Sequence, residues 1–150
     1  MPPNQLISIM KRSKSEIREA RDEALYATFK TVLRENPELS YDEAVRKTME
    51  TRQPHMWVSF YGVYRTLLRI KKGMNCRKKP NAHLAKAHLE EEVERKYRKL
   101  SSSGFMKDAS AFFLASFIIA EPSKGFYLSY IYAKKIISQR RKMHQRRWRR

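Results

Sequence analysis

The chain has little of what most enzymes and secreted domains are built from. Its single cysteine, Cys76, excludes an internal disulfide and fits a reducing compartment. Four glycines are too few and too scattered to form a phosphate-cradling loop. The longest apolar run, Ala109 to Ala120, is interrupted by Ser110 and Ser116, and a bilayer-spanning helix needs roughly 20 residues. The opening residues, Met1 to Met10, carry neither a basic region nor a sustained apolar stretch, so no secretory signal is expected. These absences predict a soluble protein of the cell interior.

Converging acid, base and nucleophile groups are also missing. The four histidines, His55, His83, His88 and His144, are scattered, and His83 and His88 miss the i, i+4 spacing that puts two ligands on one helix face. Cys76 has basic neighbours but no partner histidine. Glu90, Glu91, Glu92 and Glu94 read as a solvated helix face pairing with Arg95, Lys96, Arg98 or Lys99. The expectation is no catalytic residue, no cofactor and no metal.

Acid is scarce in particular places. Against 33 lysines and arginines stand 15 acids, a net charge of +18. No Asp or Glu occurs between Gln53 and Pro80 or after Glu121. Such an imbalance costs self-repulsion that a polyanion relieves, and segregation of the acids exceeds what an ordinary solvated surface needs. Nucleic acid is the expected partner, DNA favoured over RNA.

What is present is helical. Ser13 with Glu16, and Ser40 with Glu43, read as capping boxes at two helix starts. Ile17, Ala20, Ala24, Leu25, Phe29, Val32 and Leu33 then recur at helical spacing until Asn36-Pro37, and Ala44, Val45 and Met49 stripe a second helix until Gln53-Pro54. Ser59 caps a third helix from Phe60 to about Lys72, stopped by Gly73. Beyond the basic segment 71–80, Asn81 caps a helix with Leu84, Leu89, Val93, Tyr97 and Leu100. Ser101–Gly104 forms a turn, Asp108 or a nearby serine starts an apolar helix 111–120, and Glu121-Pro122 ends it. Ser129 caps the last helix. No alternation of strand length occurs.

The two halves are one plan written twice. At an offset of 70 positions, Trp57-Val58-Ser59-Phe60 lies over Tyr127-Leu128-Ser129-Tyr130, Val63 over Ala133, Arg65 over Lys135, Leu67 over Ile137 and Lys72 over Lys142. The expected fold is all-α, two tandem three-helix units of helix-turn-helix type packed into one globule. The segments are a flexible N-terminus (1–12), unit 1 (13–73), a basic linker (74–80), unit 2 (81–139) and an arginine-rich tail (140–150), either a continued helix or an arm. Helix 111–120, apolar nearly all round, is expected to be buried between the units. Exposed instead, it would mark a surface for a protein partner.

On the third helix, Phe60, Val63, Tyr64, Leu67 and Leu68 form a core stripe, while Tyr61, Arg65, Arg69 and Lys72 form the outer row. In the second copy Tyr130, Ala133, Ile136 and Ile137 point in, and Lys135, Gln139, Lys142 and Arg146 form the matching row. Candidate nucleic-acid contacts are these rows with Lys71, Arg77, Lys78 and Lys79 of the link, and Arg140, Arg141, Arg147, Trp148, Arg149 and Arg150 of the tail. Arginines are suited to guanine edges and lysines to phosphates. Trp148 either stacks on a base or folds back on the core, whereas Trp57, Phe60, Phe126 and Tyr130 read as core anchors.

Pro54-His55-Met56-Trp57-Val58-Ser59 and Pro122-Ser123-Lys124-Gly125-Phe126-Tyr127-Leu128-Ser129 resemble a proline-aromatic-valine-serine motif of small basic proteins from Bacteroides-type gut bacteria and their mobile elements or phages. In that family an arginine stands before the aromatic pair; Met56 and Gly125 stand there in this chain. The resemblance implies an accessory DNA-associated role, at the nucleoid or in a virion. Two other classes fit the composition. One is a packaging protein with basic arms and helical protein interfaces. The other is an anionic-membrane binder, disfavoured because the last helix needs its apolar face for the core.

Overall fold

The computed structural model describes residues 3–73, 84–104 and 108–148. They form α1 (Pro3–Lys11), α2 (Lys14–Glu35), α3 (Tyr41–Met49), α4 (Phe60–Lys71), α5 (Leu84–Ser102), α6 (Ala111–Ala120) and α7 (Tyr130–Trp148). The fold is all-α; among the described residues the only extended pairing is an isolated antiparallel bridge between Gln53 and Ser123. No described helix is long and apolar enough to cross a membrane.

The helix starts follow from caps. Ser13 accepts from the Glu16 amide, Ser40 and Glu43 close a reciprocal capping box, and Ser59 and Ser110 accept from Gly62 and Phe113. The Tyr132 amide donates to Ser129 Oγ at 3.2 Å. Each such bond satisfies one of the orphan amides of a first turn. Helix α4 ends where Gly73 enters the left-handed region at φ 77°, a conformation glycine adopts without steric cost. The Asn81 cap and the linker 74–80 lie outside the described residues.

The third helices are exchanged, which differs from the tandem units expected. One core joins Leu25, Phe29 and Val32 of α2 and Ala44 and Val45 of α3 to Ala133, Ile136 and Ile137 of α7. The other joins Val63 and Leu67 of α4 to Val93 of α5 and Leu114, Ala115 and Ile118 of α6. Segments 13–73 and 81–139 are therefore repeats of sequence but not units of packing. The cause lies in the connectors. Pro54 and Pro122 bias the preceding residue towards extended backbone, and Glu121 adopts φ −73°, ψ 148°. The chain then runs on instead of turning back, and the connectors cross. At the crossing the Gln53 amide donates to the Ser123 carbonyl at 2.8 Å and the Ser123 amide to the Gln53 carbonyl at 3.0 Å. Both residues are buried, so each connector satisfies the other's polar backbone.

Two further expectations are corrected. The N-terminus is not a loose segment up to residue 12: α1 packs on α4 and α6 and buries Ile9, because Leu6, Ile9 and Met10 share one helix face. Helix α6 is not buried all round. Ala111, Leu114, Ala115, Ile118 and Ile119 face inward, but Phe112, Phe113 and Phe117 are 55%, 46% and 41% exposed. Among the described helices α6 is flanked by α1, α4 and α5, and it turns Phe112, Phe113 and Phe117 outward.

Candidate nucleic-acid interface

Helix α4 holds its outer row by burying the opposite stripe. Val63 and Leu67 are buried, while Tyr61, Arg65, Arg69 and Lys72 are exposed. The Arg65 guanidinium lies over the Tyr61 ring, 4.6 Å from its centre, which orients the charge and leaves its edge free for an acceptor. Arg69 is otherwise engaged: it donates to Glu90 at 2.9 Å and to the Thr66 hydroxyl at 3.4 Å. Lys71 donates to the Ala109 carbonyl at 2.8 Å and so ties α4 to the approach of α6.

In α7 the positions Lys135, Gln139, Lys142, Arg146 and Arg147 are exposed as expected. Arg140 is not part of that surface. Its side chain is 12% exposed and donates to Glu19 at 2.8 Å and Glu23 at 3.0 Å. Arg140 therefore fastens α7 to α2 and stands apart from the exposed cationic row. Arg141 lies 5.8 Å from the ring centres of both Phe29 and Tyr41. The basic end is a continuation of α7 as far as Trp148, whose side chain does not fold back, being 89% exposed. Arg77, Lys78, Lys79, Arg149 and Arg150 lie outside the described residues. Phe126 is buried, and Trp57, Phe60 and Tyr130 pack against the two cores as anchors.

The structure adds cations that the helical-row argument missed. A groove of about 480 Å³ brings Lys14 of α2 and Lys86 of α5 beside Arg65 and Arg69, with Glu90 the one acid among its described lining residues. Lys14 and Lys86 open their helices, distant in sequence from α4, so no spacing within one helix points to them. The acids of α5 also behave differently from a solvated face. Glu92 is buried and accepts from Ser123 Oγ at 3.2 Å, the Lys124 amide at 3.1 Å and Arg95 at 3.3 Å. Lys96, also buried, donates to the Pro122 carbonyl at 3.0 Å, and its burial pushes its pKa down. This pair locks the second connector.

Near it, burial and then the Glu92 carboxylate push the Tyr127 phenol well up. Tyr127 itself holds a left-handed φ of 53°. Glu92 and Tyr127 line a cleft of about 560 Å³ together with His88, Arg95 and Lys124. All the Glu92 bonds go to the connector and Arg95, which makes this carboxylate a structural anchor. Among the described residues, no three His, Cys, Asp or Glu side chains are grouped to hold a metal ion. Comparison with protein-family models, with curated proteins and with solved structures finds no match for this chain.

Proposed function

We propose that the protein binds double-stranded nucleic acid, DNA before RNA, as a non-enzymatic accessory or regulatory factor of a nucleoid, mobile element or phage. One observation carries the reading. The equivalent helices α4 and α7 contain no acidic residue and turn Arg65 and Lys72, and Lys135, Lys142 and Arg146, outward from buried stripes. Such rows can neutralise phosphates, and arginine can also reach base edges. Helix-turn-helix docking in its usual form is not the geometry favoured, because α4 follows an extended connector and packs on α5 and α6.

The test is binding to labelled duplex DNA, single-stranded DNA and duplex RNA across a salt series. Replacing Arg65 and Lys135 by alanine should reduce the log–log salt slope by about 2, since each lost phosphate contact is worth roughly 0.9. An unchanged slope in a folded double variant would remove α4 and α7 from the interface.

A second reading, a packaging protein with a helical protein interface, is favoured by Phe112, Phe113 and Phe117. Three neighbouring exposed phenylalanines form a larger apolar patch than a solvent-facing helix needs. The two readings are compatible, as the patch lies on α6 and the cationic rows on α4 and α7.

A further inference from the structure

Three helices of the first half recur in the second at one offset. Helices α2 and α5 start at 14 and 84, α3 and α6 at 41 and 111, and α4 and α7 at 60 and 130. The packing is reciprocal as well: α4 lies on α5 and α6, while α7 lies on α2 and α3. An operation that carries the first copy onto the second must therefore also carry the second onto the first. Applied twice it restores the molecule, which makes it a two-fold rotation and excludes a simple translation along the chain.

The connector crossing has the hydrogen bonds such an axis requires. Around the mutual Gln53–Ser123 pair, the Met56 amide donates to the Ile119 carbonyl at 3.3 Å, and its equivalent, Phe126, donates to Met49 at 3.1 Å. Side chains obey the same relation. Asp42 hydrogen-bonds Tyr130 and Lys134. At the equivalent positions Phe112 packs on Phe60, with ring centres 4.9 Å apart, and on Tyr64, at 6.1 Å.

Duplex DNA has two-fold axes of its own, perpendicular to the helix and relating its antiparallel strands. A protein with a dyad engages it by superposing the two axes, so that its equivalent helices meet half-sites of inverted polarity. We infer that this single chain reads an inverted pair of half-sites about the Gln53–Ser123 axis, although its sequence is a direct repeat. The inference rests on the duplex-binding reading above.

The two half-sites differ in content because the outer rows differ. Tyr61, Arg65 and Arg69 of α4 correspond to Ile131, Lys135 and Gln139 of α7. Arginine forks onto guanine whereas lysine is a point charge, and Glu90 restrains Arg69. The natural site is accordingly an imperfect palindrome.

The experiment is selection of bound duplexes from a random-sequence pool, using the full chain and a triple variant, Ile131→Tyr with Lys135→Arg and Gln139→Arg. All three positions are exposed, so the fold is not at stake. The natural chain should enrich two unequal half-sites of opposite polarity, and the variant should enrich half-sites more nearly alike, still inverted, with Glu90 holding Arg69 as before. Direct repeats, a lone half-site, or retention of duplex with no enriched sequence would each overturn the inference while leaving duplex binding standing. Failure of both proteins to retain duplex at low salt would instead remove the reading beneath it.

Discussion

The crossing of the connectors makes Gly125 the position where the smallest change should cost most. A Cβ built there would stand 2.4 Å from the Met49 carbonyl oxygen and 3.6 Å from Glu50 Cα. The obstacle is backbone at the end of α3, not the tip of a flexible side chain, so the connector and α3 must part by about half an ångström or more. The same Met49 oxygen accepts from the Phe126 amide at 3.1 Å, and Phe126 is buried in the core shared by α2, α3 and α7. Gly125→Ala thus combines a steric intrusion, about 1–3 kcal/mol, with weakening of one buried hydrogen bond, about 1 kcal/mol, for a loss of roughly 2–4 kcal/mol. For a chain of this size that is a fall in Tm of about 5–15 °C. Urea unfolding followed by far-ultraviolet circular dichroism measures the difference. Gly104→Ala is the control, since nothing lies within 4 Å of the Cβ it would add, and its effect should stay within about 0.5 kcal/mol. A Gly125→Ala protein as stable as the parent would refute the close crossing.

Three further outcomes are expected. Arg140→Ala should lower stability by about 1–2 kcal/mol, through loss of packing and of its bonds to the exposed Glu19 and Glu23, yet leave the salt slope of duplex binding unchanged; a slope falling as it does for Lys135→Ala would return Arg140 to the interface. Phe113→Glu with Phe117→Lys copies the residues at the equivalent positions of α3, Glu43 and Lys47, and should cost less than about 1 kcal/mol while reducing any self-association seen by sedimentation; a large loss of stability would mean that α6 needs these rings. Burial holds the pKa of half-buried His55 below its ordinary 6.5, so the unfolded chain takes up the proton first as pH falls. Stability from this residue should then be complete above about pH 7 and decline as pH drops below 6.5 towards the folded value, and His55→Gln should flatten that decline in urea titrations between pH 7 and 5.

Local features were legible and the exchange was not, for a physical reason. A cap is a bond from i to i+3, so Ser40 with Glu43, or Ser59 with the Gly62 amide, is written in adjacent letters. The apolar stripes were equally plain, because burial follows the 3.6-residue period whichever partner provides it. That indifference hides the exchange: Val63 and Leu67 are buried whether α4 lies on its own α2 and α3 or on α5 and α6. Only the extended proline connectors bear on the choice, and they were read as helix breaks. Arg140 lies on the buried side of α7, and the sequence carries a signal for it. It continues the inward stripe Ala133, Ile136, Ile137 at helical spacing, and the equivalent residue is Ile70, which packs on the α4–α5–α6 core. The cations of the groove at Lys14 and Lys86 had no such signal, because they meet Arg65 only in the folded chain.

The repeat also separates what the fold requires from what this chain has added. Where α4 meets α5, Ile70, Leu89 and Val93 provide an apolar contact; at the equivalent places where α7 meets α2, Arg140 is bound by Glu19 and Glu23. Either chemistry fastens a third helix, so the contact is required and its polarity is not. The reverse holds on the solvent faces. Asp42, Glu43 and Lys47 on α3 show that these positions need no apolar side chain, yet α6 presents Phe112, Phe113 and Phe117 there. Phe112 packs on Phe60 and Tyr64 of α4, so it serves the monomer; Phe113 and Phe117, in contact with each other, are the rings that the packaging reading proposed above would assign to a partner surface. The same comparison applied to the outer rows finds a cation at both Arg65 and Lys135 and at both Lys72 and Lys142, whereas Arg69 faces Gln139. Under the duplex-binding reading proposed above, the lysine kept in both copies, Lys72 and Lys142, would serve phosphates, and the positions that differ, Arg65 against Lys135 and Arg69 against Gln139, are where the two half-sites would be told apart.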